Sequence, residues 1–224
     1  MKKSTVFTLI TVFLLIPLTV IFGTEYYYLT GTLIIVEAML PFFVSFEASK
    51  AQARKVVLIA LMAALASISR VAFAFLPHFK PITAIIMIGG FAMGPQSGFL
   101  IGAMAAFASN FAFGQGLWTP WQMFAYGFGG FLAGVFHPLQ KKYAPWGASV
   151  FGFFTVLFFV GPLLDCSSLF VFGRTLTAAQ VIAIFSVGLL PNLMHAVSCA
   201  VTLCLLTKPL SAKLSRLQTK YAIR

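Results

Sequence analysis

Acidic side chains are almost missing. Of 224 residues, only Glu25, Glu37, Glu47 and Asp165 carry a carboxyl group. Acids so few and so scattered nearly exclude acid–base catalysis by a carboxylate pair. Cysteine is scarce too: Cys166, Cys199 and Cys204 lack metal-ligand spacing, and the last two fall in an apolar run as small helix residues. The three histidines, His78, His137 and His195, lie far apart, and each reads as an interfacial or hydrogen-bonded residue, not a metal ligand. No Gly-x-x-x-x-Gly-Lys-[Ser/Thr] occurs, so the chain does not hydrolyse ATP by a P-loop mechanism. No His-Glu-x-x-His occurs, which argues against an intramembrane metalloprotease. Without a catalytic constellation the chain is not read as an enzyme, and no bound cofactor or metal is expected.

Apolar residues fill the space the charges leave. The chain is 60% hydrophobic and 8% charged, with a mean hydropathy of +0.99. Apolar runs of about 20 residues match what a bilayer requires. Eight runs are predicted to be spans: 6–22, 29–46, 56–76, 82–94, 98–113, 121–136, 148–164 and 178–206. The fold class is therefore all-α and polytopic. The first run follows Lys2 and Lys3 like a secretory signal, but Ile21-Phe22-Gly23 is a poor cleavage site, so an uncleaved helix is preferred. The fourth run is short for a full span unless tilted or re-entrant. Pro191 suggests a kink in the eighth.

The net charge of +11 is no nucleic-acid signature, because the basic residues sit in short runs between apolar segments. With a cytoplasmic N-terminus, twelve of the fifteen Lys and Arg fall on inner segments and two, Lys80 and Arg174, on outer ones. That asymmetry supports eight spans with both termini inside. Arg70 alone lies within a span, about 9 Å from the break at Pro77 at 1.5 Å per residue. It either reaches into a wet cavity, favouring a ligand with acceptor groups, or snorkels to the interface. Glu37 is the acid inside a span, a functional hint by default, although it can equally face a neighbouring helix.

Polar groups, tryptophans and glycines converge between Asn110 and Gly130. Asn110, Gln115, Thr119 and Gln122 exchange hydrogen bonds, while Trp118 and Trp121 offer flat faces with one N–H each. Gly114, Gly116 and Pro120 mark a turn. The stretch reads as the mouth of a small-molecule site. The plainer alternative is an interfacial loop, since Trp is enriched at membrane surfaces. The topology places this loop, the His78 loop and the Asp165 loop on one outer face. Small residues at one-turn spacing suit close helix packing in lipid: Gly90/Gly94, Gly98/Gly102, Gly130/Gly134, Ala60/Ala64 and Ala63/Ser67. Packing within the chain is the default for such pairs, and a partner interface is the alternative.

Three stretches resemble the substrate-binding S component of an energy-coupling factor (ECF) transporter. They are Ala53-Arg-Lys-Val-Val-Leu-Ile-Ala-Leu-Met-Ala-Ala-Leu-Ala66, Phe79-Lys-Pro-Ile-Thr-Ala-Ile-Ile-Met-Ile-Gly-Gly90 with Gly94-Pro-Gln-Ser-Gly-Phe-Leu-Ile-Gly102, and, most specific, Ser109 to Ala125. The resemblance covers about 54–206, six helices. It implies three parts: a two-helix transmembrane extension at 1–53, a six-helix substrate-binding core at 54–206 and a basic cytoplasmic tail at 207–224. It further implies high-affinity capture of a vitamin or related micronutrient at the outer face of a bacterial cell membrane. The partners implied are a transmembrane coupling subunit and two ABC ATPases, besides the lipid bilayer; no nucleic acid is implied. The family's Ala-x-x-x-Ala contact with the coupling subunit maps onto Ala60 and Ala64. By position, substrate contacts fall to His78, Asn110, Gln115, Trp118, Trp121, Gln122 and Asp165, with Asn192 and Arg70 after them. No short motif for riboflavin, thiamine or biotin is recognised. The wide loops and the Trp pair suit a large, partly flat ligand with amide groups, for which cobalamin is the leading expectation and folate-like or queuosine-like molecules stay open. A stand-alone secondary transporter is the competing class, but a coupling acid near the midplane is available only in Glu37, outside the core.

Overall fold

The computed structural model describes residues 3–22, 27–48, 53–136, 146–172 and 177–222. Within these residues all regular structure is helical. We number the helices α1 to α8 in chain order. Helix α1 comprises Lys3–Ile10, a π-helical turn at Thr11–Leu15 and Ile16–Phe22; α2 is Tyr27–Ala48 and α3 is Ala53–Ala72. Helix α4 is Ile82–Met93, α5 is Pro95–Phe113 and α6 is Trp118–Val135. Helix α7 comprises Trp146–Thr155, a π-helical turn at Val156–Val160 and Gly161–Cys166, then a 3-10 segment at Ser167–Phe172. Helix α8 is Ala178–Lys220. By length and composition, Leu29–Glu47, Ala53–Ala72, Trp146–Leu169 and Ala178–Lys220 can each cross a bilayer. The chain is a multi-pass membrane protein.

Helix α4 is the axis of the bundle. Thr83 is the one polar side chain among its twelve residues, and all except Ala92 are buried. Such a sequence suits lipid or protein on every side, and here protein encloses it. At 1.5 Å per residue it is about 18 Å long, short of the ~30 Å hydrocarbon core. The short fourth run is thus an internal helix surrounded by α3, α5, α6 and α8.

The tightest packing joins α4, α5 and α6 through glycine. A Cβ on Gly90 or on Gly98 would sit on the backbone of Gly130, and one on Gly102 would sit on Tyr126. Backbones this close are the reason for small residues at these positions. Gly134 likewise lies against Pro95. Gly94 has a different task. Nothing surrounds its Cβ position, and its φ of +89° makes the one-residue reversal between α4 and α5.

Helices α1 and α2 form a hairpin outside the α4-centred bundle, against α5 and α6. Phe42 stacks on Phe99 with centroids 3.9 Å apart and meets Phe131 edge-on. Glu37 faces its neighbour within the hairpin: Thr19 Oγ1 donates to Glu37 Oε1 at 2.7 Å.

Helix α8 does not end at 206, where the sequence suggests a tail; it runs on through Pro191 and Pro209 to Lys220. Its start is fixed by a capping box, in which Thr177 and Gln180 satisfy each other's backbone N–H groups. Its far end is tied back to the bundle. Leu214 is buried, Gln218 Nε2 donates to the Ala92 carbonyl at 3.0 Å, and Arg54 Nη1 donates to the Tyr221 carbonyl at 2.9 Å.

Candidate functional site

Three helix ends meet at the 114–117 link: the last turns of α3 and α5 and the first turn of α6. Helix α3 stops at Ala72, earlier than the predicted break at Pro77, so Arg70 lies in its last turn. Helix α6 starts at Trp118, earlier than predicted, so Trp118, Thr119 and Pro120 are helical and the link is only four residues long. Proline is tolerated there because first-turn N–H groups have no helical acceptor.

A chain of hydrogen bonds crosses the three ends. Arg70 Nη1 donates to Ser109 Oγ at 2.7 Å and to Asn110 Oδ1 at 2.8 Å. Asn110 Nδ2 donates to Thr119 Oγ1 at 3.2 Å. Thr119 Oγ1 also accepts from the Gly116 N–H at 3.1 Å and donates to Gln115 Oε1 at 2.9 Å. Gln115 Nε2 closes the series on the Phe107 carbonyl at 2.9 Å. Ser109, Asn110 and Thr119 are buried. Polar groups that saturate one another in this way hold three helix ends at fixed spacing.

Aromatic faces flank the cation. The Arg70 guanidinium lies 4.7 Å from the Phe113 ring and 5.9 Å from the Tyr126 ring. Tyr126 also meets His195 of α8 edge-on, with ring centres 6.2 Å apart. His195 Nε2 and Thr83 Oγ1 share a hydrogen bond at 2.8 Å, both groups buried. His195 is thus a hydrogen-bonded core residue. Gln122 occupies the α6 stripe between Thr119 and Tyr126, three and four residues from each, so it shares their face. Its Oε1 is buried without a hydrogen-bond partner among the described residues.

A second polar pair lies between α7 and α8. Asn192 Nδ2 donates to Asp165 Oδ2 at 2.6 Å. Gly161 and Gly188 make room: a Cβ on Gly161 would strike the Asn192 amide, and one on Gly188 the Asp165 carboxyl group. Asp165 is in a helical turn, not in the loop the sequence suggests. A cleft of about 440 Å³ opens beside it, lined by Asp165, Ser168, Ala183, Ile184, Val187, Gly188 and Pro191.

Of the nominated residues, Arg70, Asn110 and Gln115 join one network, and Gln122 adjoins it. Asp165 and Asn192 pair with each other. The two tryptophans part company. Trp121 lies against Gly31 of α2, toward the hairpin, while Trp118 is 43% exposed and covers Gly116. His78 is exposed, with φ +58°, in the turn region after α3. His137 and Arg174 lie outside the described residues. Ser109, Phe113, Thr83 and Tyr126 were missed as site residues. Tyr126 was within reach of sequence reasoning, since it completes the 119/122/126 stripe.

Ala60 and Ala64 point away from the bundle, beside exposed Val57, Leu61 and Ile68. Their neighbours Ala63 and Ser67 turn inward, where Ser67 Oγ bonds to the Ala105 carbonyl at 3.1 Å.

The described residues thus form a helical membrane bundle with a polar, aromatic-flanked cluster at one end. The family model for the ECF-type riboflavin transporter S component matches residues 50–212, and the chain belongs to this family. No curated protein and no solved structure matches the chain. It is accordingly a vitamin-binding subunit of an ECF transporter, a transport component and not an enzyme in itself.

Proposed function

We propose that the chain captures a flavin vitamin at the outer face of the cell membrane, and that the Arg70–Asn110–Gln115 end of the bundle is its mouth. The observation that carries this reading is the family match over residues 50–212, whose description names riboflavin. That description lends no support to cobalamin. The local chemistry suits a flavin. A planar ring with an apolar edge suits the exposed rings of Phe113 and Trp118. The ring's polar edge offers carbonyl acceptors for a guanidinium and an imide N–H for the orphan carbonyl of Gln122.

The charge asymmetry supports both termini lying inside. Import against a gradient then relies on a coupling subunit and two ATPases. The exposed strip at Ala60 and Ala64 is the proposed contact with the coupling subunit, and the α1–α2 hairpin leaves it open by packing on α5 and α6.

Binding is tested on the purified chain in detergent with riboflavin, cobalamin, thiamine, biotin and folate. Riboflavin alone is expected to raise the melting temperature, with quenching of its own fluorescence at nanomolar to low micromolar concentration. A shift with another vitamin and none with riboflavin overturns the flavin reading.

A further inference from the structure

The last turns of α8 carry charge that the protein does not balance. Lys213, Arg216 and Lys220 are exposed, and no acidic side chain among the described residues pairs with them. At about 100° per residue the three share one flank of the helix. It lies about a quarter turn from the Leu210, Leu214 and Leu217 stripe that packs on the bundle. Lys220 Nζ lies 5.4 Å from the centre of the exposed Tyr221 ring. Arg54 of α3 joins the group, since its guanidinium donates to the Tyr221 carbonyl.

These residues share one depth. The exposed apolar side chains of α8 end at Leu205 and Leu206, and Lys208 follows. On α3 the order is reversed: Arg54 and Lys55 come first, and exposed Val56 and Val57 follow. Each change between apolar and basic marks the level of the lipid headgroups. The Arg54–Tyr221 bond brings the end of α8 to the level of Arg54. Residues 208 and 221 thus both stand at headgroup level, although about 20 Å of helix separates them. The segment between them runs along the membrane surface instead of away from it. Pro209, a residue type that bends helices, stands at its start. Gln218, bonded to the Ala92 carbonyl in the last turn of α4, holds it there.

We propose that residues 208–221 lie in the headgroup layer and that their basic flank binds the phosphate groups of anionic phospholipids, those of the inner leaflet given the reading above that both termini lie inside. A basic flank beside an apolar stripe is the pattern of helices that rest in the interface. Tyr221 favours lipid over a soluble acidic partner, because exposed tyrosine is enriched at headgroup level. Each Lys or Arg close to an anionic surface is worth about fivefold in affinity.

The test titrates the full chain in detergent micelles with phosphatidylglycerol or with phosphatidylcholine of the same acyl chains. Retained lipid is counted by native mass spectrometry, and the melting temperature is followed alongside. The wild type is expected to retain phosphatidylglycerol preferentially and to melt higher with it, and molar salt should erase the preference. Lys213→Gln with Arg216→Gln should lower phosphatidylglycerol affinity about 25-fold and leave riboflavin binding unchanged. The same loss of charge in Lys141→Gln with Lys142→Gln should leave lipid affinity nearly unchanged. Should a double variant fail to fold, the wild-type preference and its salt dependence still decide. Equal retention of the two lipids by the wild type, or an equal loss in both double variants, overturns the proposal. So does a Lys213/Arg216 variant that keeps its lipid but no longer co-purifies with the coupling subunit, which would make the flank a protein contact. Cleavage of a C-terminal tag by protease added to intact cells overturns the orientation, and the inner-leaflet assignment with it.

Discussion

Thr119 shows how much one hydroxyl organises. It accepts from Asn110 and from the Gly116 backbone, and it donates to Gln115. Valine has the same shape without the hydroxyl. Thr119→Val leaves a buried amide donor and a glutamine carbonyl unmatched, at a cost of about 1–3 kcal/mol. Thermal unfolding in detergent should show a clearly lowered melting temperature. Flavin affinity should fall too, because Asn110 then no longer fixes Arg70. An unchanged melting temperature would mean that the three helix ends are held by packing alone. The neighbouring Gln122 offers a complementary test. Gln122→Leu removes a buried carbonyl that has no partner, so the empty protein should be as stable as the wild type or more so. The same change should weaken flavin binding by about tenfold, the loss of one good hydrogen bond.

Among the helices, the glycines divide into two kinds with opposite expectations. Gly98 and Gly130 touch backbone to backbone, so Gly130→Ala forces α5 and α6 apart at their closest approach. Overpacking of this sort costs about 1–3 kcal/mol or more, and reduced yield of folded protein in a gel-filtration assay checks it. Gly94→Ala meets no neighbour and separates no helices, but it holds alanine at φ +89°, ψ 173°, a region kept almost wholly for glycine, a local strain of about 1–3 kcal/mol. Its melting temperature should drop less than that of Gly130→Ala. The sequence showed the small-residue spacing but not this division, because spacing does not say whether a glycine packs or turns. Helix existence was legible throughout, since apolar run length is a strong signal. Helix ends were not: Trp118 and Asp165 read as loop because proline and polar residues follow or surround them, yet first-turn and last-turn positions accept both. The separation of Trp118 from Trp121 was also hidden. It depends on α2 lying against α6, a tertiary contact with no local signature. The vitamin was illegible for a related reason. The polar groups proposed to meet it come from α3, α5 and α6 and form no contiguous motif.

In the molecule as a whole the α3 flank stays clear of the N-terminal hairpin. The hairpin covers α5 and α6, whereas α3 shows Val57, Ala60, Leu61, Ala64 and Ile68 outward. Ala60→Leu with Ala64→Leu should leave flavin binding by the purified chain intact and abolish uptake in cells carrying the coupling subunit and ATPases. Loss of binding together with misfolding would assign the strip to internal packing. Helix α8 adds a mechanical consequence. Its 43 residues have a contour of about 65 Å, roughly twice the hydrocarbon thickness. Because Ala92 and Arg54 clamp its far end, it moves as one piece with the bundle. It is therefore a rigid arm that tilts with the whole bundle. A swing of about 30° about the mouth end carries Lys220 through about 30 Å, so a modest tilt there becomes a long stroke on the opposite side of the membrane.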